Sequence, residues 1–409
     1  MIPTLKKLVK SNSFWIIFIV LVVFMIPAIY SPSEFSQKAI VSAMGIDKSG
    51  DEYEVSFLLV IPNATPNAVS DSVEIVSAKG KSVAEAIHSI SLNIGKIVGL
   101  AHCDSIVVSD EVLQEDLQKH LDYLNRSSEL TKNAMIINTP KSSKEVLQTT
   151  VSTKTVPFLE LSSVVEYNRE YTFHTNASID AFYTEYFMPS KVTLVPVVEV
   201  EENKQQSGSS DSGGASSGEG GQSEKSDKKL SCKGDICVIK EGKKVATLTG
   251  NELIAYSVLN PETSRGFVYL QDVNIDDETT ADVTLEIRRK DVSKKASFEN
   301  GKPKLTYKGK VLFRLVEVVA DDPDLQIIDK VSTKLTDAIQ DEFLAEVIKD
   351  LEMVHQSAIA SNADLFLADN VFSAFKAKEW QKYKNNLTNE QDFIKDLQFE
   401  VDIDFEGKY

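Results

Sequence analysis

Only three cysteines occur in 409 residues, Cys103, Cys232 and Cys237, too few for a disulfide scaffold and without the spacing of a zinc site. The five histidines include no H-E-x-x-H or comparable pair. Cations are in deficit: 44 Lys and Arg face 61 Asp and Glu, a net charge of -17. That balance argues against nucleic acid, because a polyanion needs clustered positive charge. Phosphate loops are missing as well. Gly80, Lys81 and Ser82 look like the tail of one, but Ile75 stands where its first glycine belongs. The glycines near position 218 lie in a polar tract rather than between a strand and a helix. Residues 402–407 resemble the opening of a calcium loop without its twelfth-position Glu, and read instead as a strand with acidic residues facing solvent.

A nucleophile is equally hard to assemble. His102 and Cys103 are adjacent at a strand entrance, and adjacent strand residues point to opposite faces, so they make a poor base-and-thiol pair. His88, beside Ile87 and Ile90, reads as a partly buried core residue. No catalytic, cofactor-binding or metal-binding residue is assigned, and the chain is read as a non-enzyme. Cys232 and Cys237 flank a turn, where a local disulfide and two free thiols are both compatible with the spacing.

What the sequence does contain is one long apolar run. Residues 14–30 read FWIIFIVLVVFMIPAIY, and no charge occurs from 11 to 33. At about 1.5 Å per residue such a helix reaches across a bilayer's hydrocarbon layer. Lys6, Lys7 and Lys10 precede it, which predicts a cytoplasmic N-terminus and an extracytoplasmic remainder. A cleavable signal peptide is the rival, but the run exceeds the usual h-region and no good cleavage site follows.

The remainder predicts an α+β fold in three parts after an anchor at 1–31. In 32–150, a hairpin turns at Gly50, a strand follows, and Ser82 with Glu85 forms a capping box opening a helix that Gly95 stops. Further strands and the amphipathic helix carrying Leu113, Leu117, Leu121 and Leu124 complete it. A second small unit covers 151–264, interrupted at 204–229 by a polar tract without a large apolar residue, read as disordered linker. The third, 265–409, carries a long antiparallel sheet with a turn at Asn300 and Gly301. Its long helix, from near 323 to about 360, has Ile328, Val331, Leu335, Ile339, Val347, Leu351 and Val354 in one stripe.

Four stretches in this order resemble the Ger(x)C family, the C subunits of bacterial spore germinant receptors. They are SAMGIDKSGDEYEVSFLLVIP, with Gly45 and Asp47; AHCDSIVVSDEVLQEDLQKHLDYLNRSSEL, with His102 and Arg126; CVIKEGKKVATLTGNE, with Glu252; and SNADLFLADNVFSAFKAKEWQKYKNN, with Asp364, Phe372 and Trp380. The family usually carries a lipid-modified cysteine near its start. Here no cysteine precedes Cys103, so the apolar helix would replace the lipid. The resemblance implies a non-enzymatic receptor subunit on a cell or spore inner membrane. It would be single-pass with its bulk outside, assembled with integral membrane subunits, one of them amino-acid-transporter-like, and supporting nutrient sensing and germination. Exposed charges around the second helix, for example Glu115 and Lys119, would meet partners. The alternative is a stand-alone extracytoplasmic solute-binding or adhesion protein, which would need a concave pocket.

Overall fold

A computed structural model describes residues 15, 19–20, 38–60, 73–152, 161, 163, 177–202, 228–249, 253–260, 266–274, 280–320 and 333–408. Among these no helix is long and apolar enough to cross a membrane. The expected anchor at 14–30 lies outside the described residues except for Trp15, Ile19 and Val20, which are helical and exposed.

The first half is a mixed sheet covered on both faces. β1 (Lys38–Ser49) and β2 (Glu52–Val60) form the hairpin, with Gly50 at φ 65, and β3 (Val73–Gly80) pairs antiparallel with β2. α1 (Val83–Ile94) then returns the chain, so that β4 (Ile97–Gly99) and β5 (Ser105–Ser109) run parallel to β1. α2 (Leu117–Arg126) does the same for β6 (Met135–Thr139), parallel to β5, and α3 (Ser143–Ser152) follows. The strand order is β3-β2-β1-β5-β6.

Period-two alternation decides which helix each strand residue meets. Val55, Phe57 and Leu59 share a core with Ile87, Ile90, Leu117 and Leu121 of α1 and α2. Leu58, Val107 and Ile137 face the other way, onto Val146 and Leu147 of α3. Only half of the expected capping box forms. Ser82 Oγ accepts from the Glu85 N–H at 3.2 Å, while the Glu85 carboxylate reaches past the cap to the Lys81 N–H at 2.9 Å.

α4 (Ile179–Phe187) leads into a three-stranded sheet, β11-β10-β7, made of β7 (Val192–Pro196), β10 (Ile236–Lys240) and β11 (Lys243–Leu248). This sheet has no core of its own. Cys237, Ile239 and Val195 point into the core of the first half, and Ile236, Val238, Val192 and Leu194 into that of the second. β8 (Glu199–Glu202) and β9 (Lys228–Ser231) form a separate hairpin, with Glu202 opposite Lys228. The tract read as linker to 229 therefore ends two residues earlier. Lys228 and Lys229 are strand, held by opposite charge: Lys228 lies 2.7 Å from Glu145 and Lys229 3.8 Å from Glu201. Residues 203–227 lie outside the described residues.

After α5 (Ile254–Leu259) comes a four-stranded sheet. β12 (Gly266–Asn274), β13 (Thr280–Glu299) and β14 (Lys302–Ala320) are antiparallel, and β15 (Gln398–Lys408) lies parallel to β14. The predicted turn is present, with Asn300 and Gly301 at φ 50 and 79. α6 (Thr333–Ser361) lays Ile339, Phe343, Val347, Leu351, Val354 and Ala358 on this sheet. Of the expected stripe, Ile328, Val331 and the Leu335 side chain fall outside the described residues. α7 (Ala368–Phe375), α8 (Ala377–Lys384) and α9 (Phe393–Asp396) close the end of the fold.

Because Glu202 and Lys228 are cross-strand neighbours, a short turn can bridge them. Replacing 204–227 with a short Gly/Ser loop should leave folding stability, measured by chemical denaturation, within about 1 kcal/mol, since closure entropy grows only logarithmically with length.

Candidate functional site

Two aspartates singled out by the sequence prove to be long-range helix caps. Asp47, near the end of β1, is 9% exposed. Its Oδ1 accepts from the Ser143 N–H at 2.7 Å, and its Oδ2 from the Lys144 N–H at 3.1 Å and the Ser142 hydroxyl at 3.0 Å. A carboxylate there satisfies the orphan donors of α3 and favours the positive end of its dipole. Gly45 is small for the same reason. A Cβ on it would sit 2.5 Å from Ser143 Oγ, so any side chain would push α3 away from β1.

Asp364 does the equivalent for α7 and also ties the halves together. Buried at 1% exposure, it accepts from the Ala368 and Asp369 N–H groups at 2.9 and 2.8 Å. Its third partner is the Ser190 hydroxyl at 2.6 Å, just before β7, and the Ser190 N–H donates to Asn370 Oδ1 at 2.9 Å. Burial pushes the Asp364 carboxyl above the usual range, opposed by these three donors.

Trp380 completes the cluster. Its Nε1–H donates to Asp369 Oδ1 at 2.6 Å, and Lys384 reaches Asp369 Oδ2 at 3.1 Å. The indole stacks on Phe372 and Tyr383 at centroid distances of 4.6 and 5.4 Å. Beside it an open groove of about 520 Å³ is lined by Phe298, Gly301, Lys376, Glu379, Lys382 and Tyr383.

A second polar set joins the halves at the β10–β11 turn. Lys244 on β11 binds Asp110 at 2.7 and 2.8 Å and Asn138 Oδ1 at 3.2 Å, while fully buried Asn138 donates to Asp110 at 2.8 Å. The Gly242 carbonyl accepts from the Leu117 N–H at 2.8 Å. Gly242, at φ 80, has Asp116 Oδ1 where a Cβ would stand, so the turn fits against α2 only as glycine. Asp116 in turn accepts from the Tyr186 hydroxyl at 3.1 Å.

The remaining expected positions do not converge. Arg126 pairs with Asp122 at 2.8 Å on the exposed side of α2. His102 is exposed in the turn before β5, and Glu252 lies outside the described residues. His88 is exposed, contrary to the core reading. Cys103 is fully buried away from His102, and burial pushes its thiol up to about 12. Of the two alternatives for Cys232 and Cys237, the structure has the free thiols. Gly234, at φ 83, turns the chain between them, so Cys232 packs toward α3 and Cys237 toward the opposite core. Glu115 is no free rim charge either. It precedes α2, is bonded by Lys48 and by the Tyr53 hydroxyl at 2.6 Å, and lies 3.3 Å from His120. Lys48 and Tyr53 together hold its carboxyl down at about 2. Among the described residues, no group of three or more His, Cys, Asp and Glu side chains could hold a metal ion.

Residues 31–200 match the family model described as spore germination protein N-terminal domain, and residues 234–406 the one described as spore germination B3/GerAC like, C-terminal. Spore germination protein KC of Bacillus subtilis (strain 168) is 25% identical over 138 residues, 32% of this chain and 34% of that protein. The matched stretch thus spans about a third of that relative. The crystal structure of the GerBC protein superposes at a TM-score of 0.49 with 16% identity, over 90% of this chain and 97% of its own.

Asp47→Ala should cost about 1–2 kcal/mol in chemical denaturation through the lost cap. Trp380→Phe should cost about 1–3 kcal/mol through the lost bond to buried Asp369. Alkylation without reductant should modify all three cysteines in denaturant, and Cys232 ahead of Cys103 and Cys237 in the native protein. Protection of Cys232 and Cys237 after unfolding would restore the disulfide.

Proposed function

Because the chain belongs to the GerAC-like family of spore germination proteins and carries both of its domains, we propose that it is a membrane-anchored, extracytoplasmic, non-enzymatic subunit of a germinant-receptor-like complex. Its partners would be integral membrane subunits, one of them amino-acid-transporter-like, and its work would be to support nutrient sensing at a cell or spore inner membrane. The family match supports the role in germination.

The observation that carries the non-enzymatic reading is where the chemistry-bearing residues go. Asp47, Asp364, Asp369 and Trp380 hold helices together, and the Cys103 thiol is buried with its pKa raised. Such groups act on shape, leaving surfaces to meet partners. The uncharged run at 14–30 behind three lysines supports a retained anchor, as do Trp15, Ile19 and Val20, helical and 51%, 58% and 49% exposed. The groove beside Trp380 favours the second reading, a stand-alone solute-binding ectodomain, because its aromatic wall and lysine rim suit a small anion.

Purified from detergent-solubilised membranes, the full chain should co-elute with polytopic partners encoded beside it, and its deletion should slow nutrient-triggered germination. Mass spectrometry of the membrane-bound protein should recover peptides that precede Ser31. Elution alone, with saturable binding of an amino acid at the groove and normal germination, would favour the second reading.

A further inference from the structure

Lys38, the first residue of β1, stands eight positions beyond Tyr30, where the apolar run ends, with seven residues between them. Even fully extended, that connection reaches no more than about 28 Å. On the membrane-anchored reading above, on which this inference rests, the start of β1 is therefore held close to the bilayer. Its neighbours are held there with it.

β1, β4, β5 and β6 are parallel and enter the sheet from the same side, β4 level with Lys38 and β5 and β6 level with Ala43, and α1 and α2, which lead into β4 and β6, finish on that side. Ile97 pairs directly with Lys38. It is 53% exposed, and Leu92 in the last turn of α1 is 69% exposed. Two large apolar side chains in water beside two lysines are the pattern of an interfacial contact. A cavity of about 350 Å³ lies at the same end, walled by Leu59, Val60 and Ile94, with Lys38, Lys96 and Glu74 also on its lining. His102 lies in the turn leading to β5, and Arg126 is the last residue of α2.

We propose that this end of the first sheet docks onto the phospholipid surface, with Leu92 and Ile97 entering the headgroup layer and Lys38 and Lys96 meeting lipid phosphates. Charge alone does not select the face. Glu74 lines the cavity, Glu129 lies 3.9 Å from Lys38 and Asp122 pairs with Arg126. The apolar pair and the short tether carry the docking, and the lysines set its angle. Lys38, Lys96 and Arg126 balance Glu74, Glu129 and Asp122 there, so in a chain of net charge -17 these groups present no net negative charge to an anionic bilayer.

The test uses the full chain, with Cys232→Ser, reconstituted into phosphatidylcholine vesicles containing phosphatidylglycerol. A fluorophore is placed at Ile97→Cys, at Leu92→Cys, or at Tyr269→Cys on β12, a position 67% exposed in the second half. Lipids carrying a headgroup quencher should quench positions 92 and 97 at least threefold more than 269. Equal or absent quenching at both, in chains that stay with carbonate-washed vesicles, overturns the docking face and leaves the anchor standing. Release of the chain by carbonate overturns the anchor and the docking with it.

Discussion

The joint between the two halves depends on two paired strands, β7 and β10, that have no free face. β7 and β10 each alternate between two cores, so every residue along them is constrained on one side or the other. A half-buried strand tolerates polar residues at every second position; these strands do not, and VTLVP and ICVIK are apolar or small nearly throughout. Their burial is what joins the halves, and the buried polar sets only fix the register of that joint. Lys244 with Asp110 and Asn138 pins it to the first half, Ser190 with Asp364 to the second. Such groups contribute little net stability but are costly to leave unpaired, so they reject misaligned arrangements more than they strengthen the right one.

Local order was legible wherever one period ran uninterrupted. The hairpins at Gly50 and at Asn300 and Gly301, the α1 stop at Gly95 and the stripe of α6 follow from spacing and turn chemistry. The long-range roles were not, because Asp47 and its helix are 96 residues apart at Ser143, and nothing near either names the other. Cys232 and Cys237 looked pairable by separation alone. Strand direction overrides separation, since the turn at Gly234 sends the two thiols to different cores. The β9 lysines read as linker because an outward-facing strand of cations has no apolar signature. Its partners are acidic residues on β8 and α3, which the local sequence does not show.

The acidic excess is similarly organised rather than spread evenly. β15 lies against β14 as a parallel edge strand, and its Asp402, Asp404 and Glu406 meet Lys308 and Lys310 at 2.6 to 2.9 Å. Pairs this exposed add little stability. They do blunt the sheet edge, where a flat apolar strand would invite pairing with another chain. The same residues that hinted at a calcium loop thus act as an edge guard.

β13 and β14, 20 and 19 residues long, form a ribbon of roughly 60 Å, far beyond an ordinary strand pair. It is supported on alternate sides: β12 braces the base of β13, and β15 braces the half of β14 nearer the tip. Both register breaks of the pair, at Thr284/Leu285 and Ile287/Arg289, fall within and just past the β12-braced base. Mechanically the ribbon is a beam held near both ends, by β12 at the base and by β15 and the Trp380 cluster toward the tip, with its register breaks gathered at the base. A load applied near Gly301 would pass along an unbroken ladder to the bulges at the base, where Leu285 and Ile287 lie in the core that β10 shares with the second half.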